Sequence, residues 1–135
     1  MRLNATKGFT ILELLVTIVI IGILVSFAIP RYQAYIQRSN ATEAIEALQL
    51  IMEAEERYYG DRSSYTVDLT DLGFSSGTFE TAQGLYDVTA GLCPSAASST
   101  PSPATQCILL TATPKGSQEG TTALTLNSRG DQTGF

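Results

Sequence analysis

The chain opens with a long apolar stretch and then changes its hydrophobic period twice. From Phe9 to Ile29, 21 residues carry a single charge, Glu13. At about 1.5 Å rise per residue this predicts a helix of roughly 30 Å, enough to cross the hydrocarbon core of a bilayer. Beyond Pro30 the pattern becomes amphipathic. Ala41, Ile45, Leu48, Met52, Glu55 and Tyr59 recur every three or four residues, and Ala44 and Ile51 widen the stripe. Glu43, Glu46, Glu53 and Glu56 fall mostly on the opposite face, with Glu53 one turn before Arg57 and able to pair with it. The spacing predicts an apolar helix over residues 9–30 and an amphipathic one over 31–59, with Gly60 as the C′ residue.

Residues 60–84 are rich in turn formers, with Gly60, Gly73, Gly77 and Gly84, and Tyr65, Leu69, Leu72 and Phe74 are available to tack this segment onto a core. The period then shortens to two. Leu85–Ala90, Gln106–Thr113 and Thr122–Asn127 read as strands; in the last, Leu124 and Leu126 alternate with Ala123, Thr125 and Asn127. Residues 115–120 read as the turn before it. The expected fold class is α+β: a long N-terminal helix packed on a small antiparallel sheet of three to four strands, with residues 60–135 forming one globular unit.

Charge gives the apolar stretch an orientation. Arg2 and Lys7 precede it and no cation lies within it, so the N-terminus is expected to stay cytoplasmic and the domain after Pro30 to lie across the membrane. An ordinary secretory signal would be cut after its apolar stretch at small residues, and Phe27-Ala28-Ile29-Pro30 fits that pattern poorly. A carboxylate inside such a run costs about 2.5–3.5 kcal/mol on insertion scales, so Glu13 calls for a reason. From the residues alone, it either meets a partner or snorkels toward the membrane surface.

Gly8-Phe9-Thr10-Ile11-Leu12-Glu13-Leu14-Leu15, followed by Gly22 and by Ile29-Pro30-Arg31-Tyr32, resembles the start of a type IV pilin. This chain has Ile-Leu-Glu where the usual form has Leu-Ile-Glu. The resemblance covers about residues 7–35 in sequence, and the remainder matches in layout. It implies that residues 1–8 are a leader, that a prepilin peptidase cuts between Gly8 and Phe9, and that the new Phe9 amine is methylated. It also gives Glu13 a partner, the positive Phe9 amine of a neighbouring subunit, since each charge alone would be costly in a low dielectric. Gly22 and Pro30 are implied to loosen the helix in a filament. From the residues alone, Pro30 predicts a kink, and Gly22 equally fits close helix–helix packing. The implied partners are other pilin subunits in a helical filament, the prepilin peptidase, the pilus assembly platform and, before assembly, the inner membrane.

Cys93 and Cys107 are the only cysteines. In an oxidising periplasm they can pair, closing a 15-residue segment. Between them, Pro94 to Pro103 is almost entirely Ser, Ala, Thr and Pro, a composition expected to form an exposed, mobile loop tied at its base. In pilins such a C-terminal loop is a typical recognition surface. Metal ligation is not expected, because the chain has no histidine and no Cys-x-x-Cys.

Composition removes several function classes. No catalytic constellation, phosphate-binding glycine loop or cofactor motif is present, so the chain reads as an assembly subunit and not an enzyme. Net charge is −5, and removal of Arg2 and Lys7 would make it −7, which argues against DNA as a partner. After residue 62 only Lys115 and Arg129 are cationic. Arg129-Gly130-Asp131 is an ordinary turn sequence, and the glycosylation sequon Asn40-Ala41-Thr42 falls inside the expected helix; both are read as incidental.

The strand sequences around Tyr86, Ile108 and Leu124 are similar to PilE-type minor pilins of Gram-negative motility pili, which suggests a minor subunit that primes or caps assembly. The pattern departs at Ala123, near which relatives often carry a further cysteine. A major shaft pilin, a DNA-receptor pilin and a type II secretion pseudopilin remain open on these residues.

Overall fold

The computed structural model describes residues 8–94 and 101–135. Helix α1 runs from Ile11 to Arg62 and contains Pro30. It is followed by strands β1 (Phe79–Glu80), β2 (Tyr86–Leu92), β3 (Ile108–Pro114), β4 (Leu124–Asn127) and β5 (Gln132–Thr133). The strands form one antiparallel sheet in sequential order, β1-β2-β3-β4-β5. The expected α+β class is what the structure shows, with two corrections.

The sheet has five strands and not three to four. The additional pair, β1 and β5, are two residues each, too short to show any alternation, and they cap the two edges of the sheet. The helix end is the second correction. Gly60 lies inside α1, and the chain turns at Ser63, whose φ of 56° is left-handed. Glycine at 60 resembled a terminator, but the turn is closed three residues later by the Ser63 N–H on the Tyr59 carbonyl at 2.7 Å.

The chain divides into two compact units, residues 1–36 and 37–135. In the second, the core forms as the period-two and period-3.6 patterns require. Ala44, Ala47, Leu48 and Ile51 of α1 face Tyr86 and Val88 of β2, Leu110 and Ala112 of β3, and Leu124 and Leu126 of β4. The strand register stacks these side chains in rows, pairing Val88 with Ala112 and Leu110 with Leu126. Between helix and sheet, Asp68 caps a 3-10 turn over Leu69–Leu72, accepting from the Thr70 N–H at 3.0 Å. That turn drives Leu69 fully into the core, with Leu72 and Phe74 packed beside it as the sequence predicted. Tyr65 instead stacks on Tyr59, ring centroids 4.5 Å apart.

Candidate functional site

In the first unit the candidate residues Gly8, Phe9 and Glu13 lie at the start of α1. Gly8 and Phe9 precede the helix, exposed and non-helical, with Phe9 82% accessible. Thr10 is the N-cap: its carbonyl accepts the first helical bond from the Leu14 N–H at 3.2 Å, and its Oγ1 accepts from the Glu13 N–H, also at 3.2 Å. Thr10-Ile11-Leu12-Glu13 thus follows the Thr-x-x-Glu spacing of a capping box, a signal present in the sequence that the apolar pattern overshadowed. Glu13 lies in the first turn, where the positive end of the helix dipole favours an anion.

Every described residue from 8 to 36 is exposed in the single subunit. Leu, Ile, Val and Phe side chains cover this stretch on all sides, a surface that a lone soluble chain does not leave uncovered. The helix is continuous through Gly22 and Pro30. Pro30 has no N–H to offer the Ser26 carbonyl, one turn earlier. Space around Gly22 is open, with nothing beyond the helix's own neighbouring backbone within 4 Å of where a Cβ would stand.

In the second unit the cysteines pair as expected. Cys93 follows β2, Cys107 precedes β3, and their sulfurs are bonded with both residues buried. The Ser102 N–H donates to the Cys93 carbonyl at 2.9 Å, a rung directly above the disulfide. The descending arm is held from the side: the Tyr65 N–H donates to the Ala104 carbonyl at 3.1 Å, and the Tyr59 hydroxyl to that of Thr105 at 3.4 Å. Of the exposed, mobile loop expected over Pro94 to Pro103, residues 95–100 lie outside the described residues.

Three cations of this unit, Lys115, Arg57 and Arg62, have side-chain partners. Lys115 Nζ donates to Asp87 Oδ1 at 3.0 Å and to Glu80 Oε1 at 3.2 Å, and these bonds, Asp87 first, push its pKa up and keep it charged. Arg57 lies 4.0 Å from Glu53, the pairing that the spacing predicted, and the Arg62 guanidinium stands 4.4 Å over the Tyr58 ring. Arg129 sits in the β4–β5 turn that Asn127 organises, its Oδ1 accepting from the Arg129 and Asp131 N–H groups. Among the described residues, no group of His, Cys, Asp and Glu could hold a metal ion.

Among the described residues, Glu55 is a fully buried carboxylate that is not fully satisfied. Glu55, 0% exposed, accepts from the Thr66 N–H through Oε2 at 3.1 Å, while its Oε1 has no hydrogen-bond partner. Burial pushes its pKa above the ordinary carboxylate value; the Thr66 bond opposes this, and the charges of Glu56 and Asp71 add to it. The Thr66 hydroxyl donates to Asp71 Oδ2 at 2.8 Å, so one threonine joins the helix to the 3-10 turn.

An apolar N-terminal helix with one carboxylate in its first turn, joined to a helix-on-sheet unit with a disulfide-bounded loop, defines a type IV pilin subunit. Residues 30–126 match the family described as type IV minor pilin ComP, DNA uptake sequence receptor, and the chain belongs to that family. Residues 3–29 match the prokaryotic N-terminal methylation motif. Among curated relatives, the chain is similar to fimbrial protein EcpC of Eikenella corrodens, 38% identical over 59% of this chain and 50% of that one. It is also similar to a fimbrial protein of Pseudomonas aeruginosa, 33% identical over 61% of this chain and 57% of the relative. Against the type IV major pilin protein PilE of Neisseria gonorrhoeae it is 38% identical over 53% of this chain and 43% of the relative. The chain thus spans about half the length of the curated relatives it matches.

Proposed function

We propose that this pilin is a minor subunit that primes or caps assembly of a type IV pilus, in support of twitching motility, adhesion or DNA uptake. The observation that carries the pilin chemistry is the exposed apolar stretch of α1 up to Pro30, whose only carboxylate, Glu13, lies one turn after a non-helical Gly8-Phe9. In this reading residues 1–8 are removed by a prepilin peptidase and the Phe9 amine is methylated. Glu13 then neutralises the Phe9 amine of a neighbouring subunit inside the filament, and Gly22 and Pro30 let the helix loosen there. Before assembly the subunit spans the inner membrane once, N-terminus cytoplasmic; afterwards it belongs to the extracellular pilus.

The minor role draws its support from the family's description. Mass spectrometry of purified sheared pili tests it, reporting the mature N-terminus, its methylation and the copy number together. Stoichiometric dominance of the shaft would replace the minor role with that of a major pilin, and absence from extracellular filaments would favour a secretion pseudopilin.

A second reading, a DNA-receptor pilin, is favoured by the same description, which names a DNA uptake sequence receptor. The charge distribution opposes it. From residue 37 onward the sequence has five cations against twelve carboxylates, and Lys115 is clamped between two of the latter. Phosphate contacts need free cations arrayed along one face. A gel-shift series with duplex DNA separates the readings: tight, steeply salt-dependent binding would establish the receptor role.

A further inference from the structure

We propose that Thr10 is a positioning residue for leader cleavage, holding the Gly8 carbonyl out of helix α1 so that the prepilin peptidase can reach it. This rests on the processing reading above. Cleavage adds water to the Gly8 carbonyl carbon and breaks its bond to the Phe9 nitrogen. Gly8 leaves as a carboxylate and Phe9 as an amine that takes up a proton. The Gly8 carbonyl is therefore the reacting group, and what it bonds to before the reaction matters.

The first turn of a helix has N–H groups with no intrahelical acceptor, and side-chain oxygens or earlier carbonyls within reach can satisfy them. The Glu13 N–H finds the Thr10 hydroxyl at 3.2 Å. Were that oxygen missing, the acceptor in reach would be the Phe9 carbonyl, four residues back. The helix would then begin earlier, and the Leu12 N–H would take the Gly8 carbonyl in the same way. The scissile carbonyl would be hydrogen-bonded within a helical turn. In the structure it is not, because the cap ends the helix at Ile11 and leaves Gly8 and Phe9 in an exposed, non-helical segment. The two-residue offset between the scissile bond and Thr10 places the bond just outside the turn that the cap closes.

The test uses the full-length chain in detergent micelles with purified prepilin peptidase, and reads kcat/KM by the appearance of the Phe9 N-terminus. Thr10→Val keeps the side-chain shape and removes the acceptor; Thr10→Ser keeps the acceptor. Loss of a cap of this kind corresponds to about a five- to tenfold shift between capped and uncapped forms, so Thr10→Val is expected to be cut about that much more slowly. Thr10→Ser is expected to remain close to wild type. The 13C chemical shifts of the Gly8 and Phe9 carbonyls, read by NMR in the same micelles, should move to helical values in Thr10→Val only. Unchanged cleavage of Thr10→Val would overturn the proposal. So would slowed cleavage without the carbonyl shifts, which would mean that the peptidase reads the hydroxyl directly. Failure of the wild-type chain to be cut between Gly8 and Phe9 would instead remove the processing reading itself, and this proposal with it.

Discussion

Replacing Glu55 with glutamine should make the second unit more stable at neutral pH, although the change removes a buried side chain's native chemistry. Glu55 is wholly buried, and its two oxygens differ: Oε2 holds the Thr66 N–H at 3.1 Å and Oε1 meets no donor. Leaving a buried acceptor unpartnered costs about 1–3 kcal/mol, and more when it is charged. Glutamine keeps an acceptor for Thr66 and carries no charge; its amide N–H groups stand where Oε1 already lacks a partner, so the gain is that of removing the buried charge alone, about 1 kcal/mol near pH 8. The pH dependence has a definite sign. Burial raises the folded-state pKa above the unfolded value, with Glu56 and Asp71 adding to the shift, so the folded state binds the proton more tightly. The stability that Glu55 contributes is therefore full below its unfolded pKa and is lost as pH rises through the folded one. Urea unfolding of the full chain in micelles, run from about pH 4 to about pH 8 for both proteins, isolates this group as a difference. The two curves should meet at the acidic end and separate toward neutrality, with the variant above. A variant that is less stable near pH 8, or a difference that does not change with pH, would refute the reasoning.

Cys93→Ser should cost about 3 kcal/mol in the same unfolding assay, the loop-closure value for a 15-residue segment, and reductant should lower the wild type equally. Leu48→Ala empties a fully buried position between helix and sheet and should cost about 2–5 kcal/mol, read as a lower urea midpoint at unchanged slope. Gly60→Ala should stabilise by about 0.5–1 kcal/mol, because Gly60 lies inside α1 with open space at its Cβ position. Gly134→Ala should destabilise: its φ is 83°, and an added Cβ would stand 2.6 Å from the Ala123 carbonyl oxygen.

Much of this molecule follows from period alone. The stripe through Leu48 and Ile51 marks the buried face of α1, and the alternation of Leu124 and Leu126 marks β4, because both faces are decided by water. Where burial does not repeat, the sequence is silent: two-residue edges such as β1 and β5 contain no period to read. Gly60 misled because a glycine's backbone freedom is a permission and not a command, and Ser63 took the left-handed conformation instead. Glu55 could be placed in the buried stripe from its spacing, but its partner Thr66 is set by the path of the following segment. The Lys115 clamp joins residues 28 and 35 positions apart, a coincidence that only the folded sheet creates. Thr10 is different in kind. Its spacing to Glu13 is legible in the sequence, but the capping signal sits inside an apolar run whose dominant pattern is that of a membrane span.

The disulfide has a consequence for how such a chain can change over generations. Cys93 and Cys107 fix the ends of the loop at the rim of β2 and β3, and the Ser102 bond to Cys93 adds a second fastening. Pairing between the two strands begins just inside, at Leu92 with Ile108. The sheet is therefore insulated from whatever sequence lies beyond the fastening, since loop length enters the free energy only logarithmically. Substitutions and small insertions there can accumulate at a small folding penalty, which makes the segment a replaceable cassette on an unchanging frame.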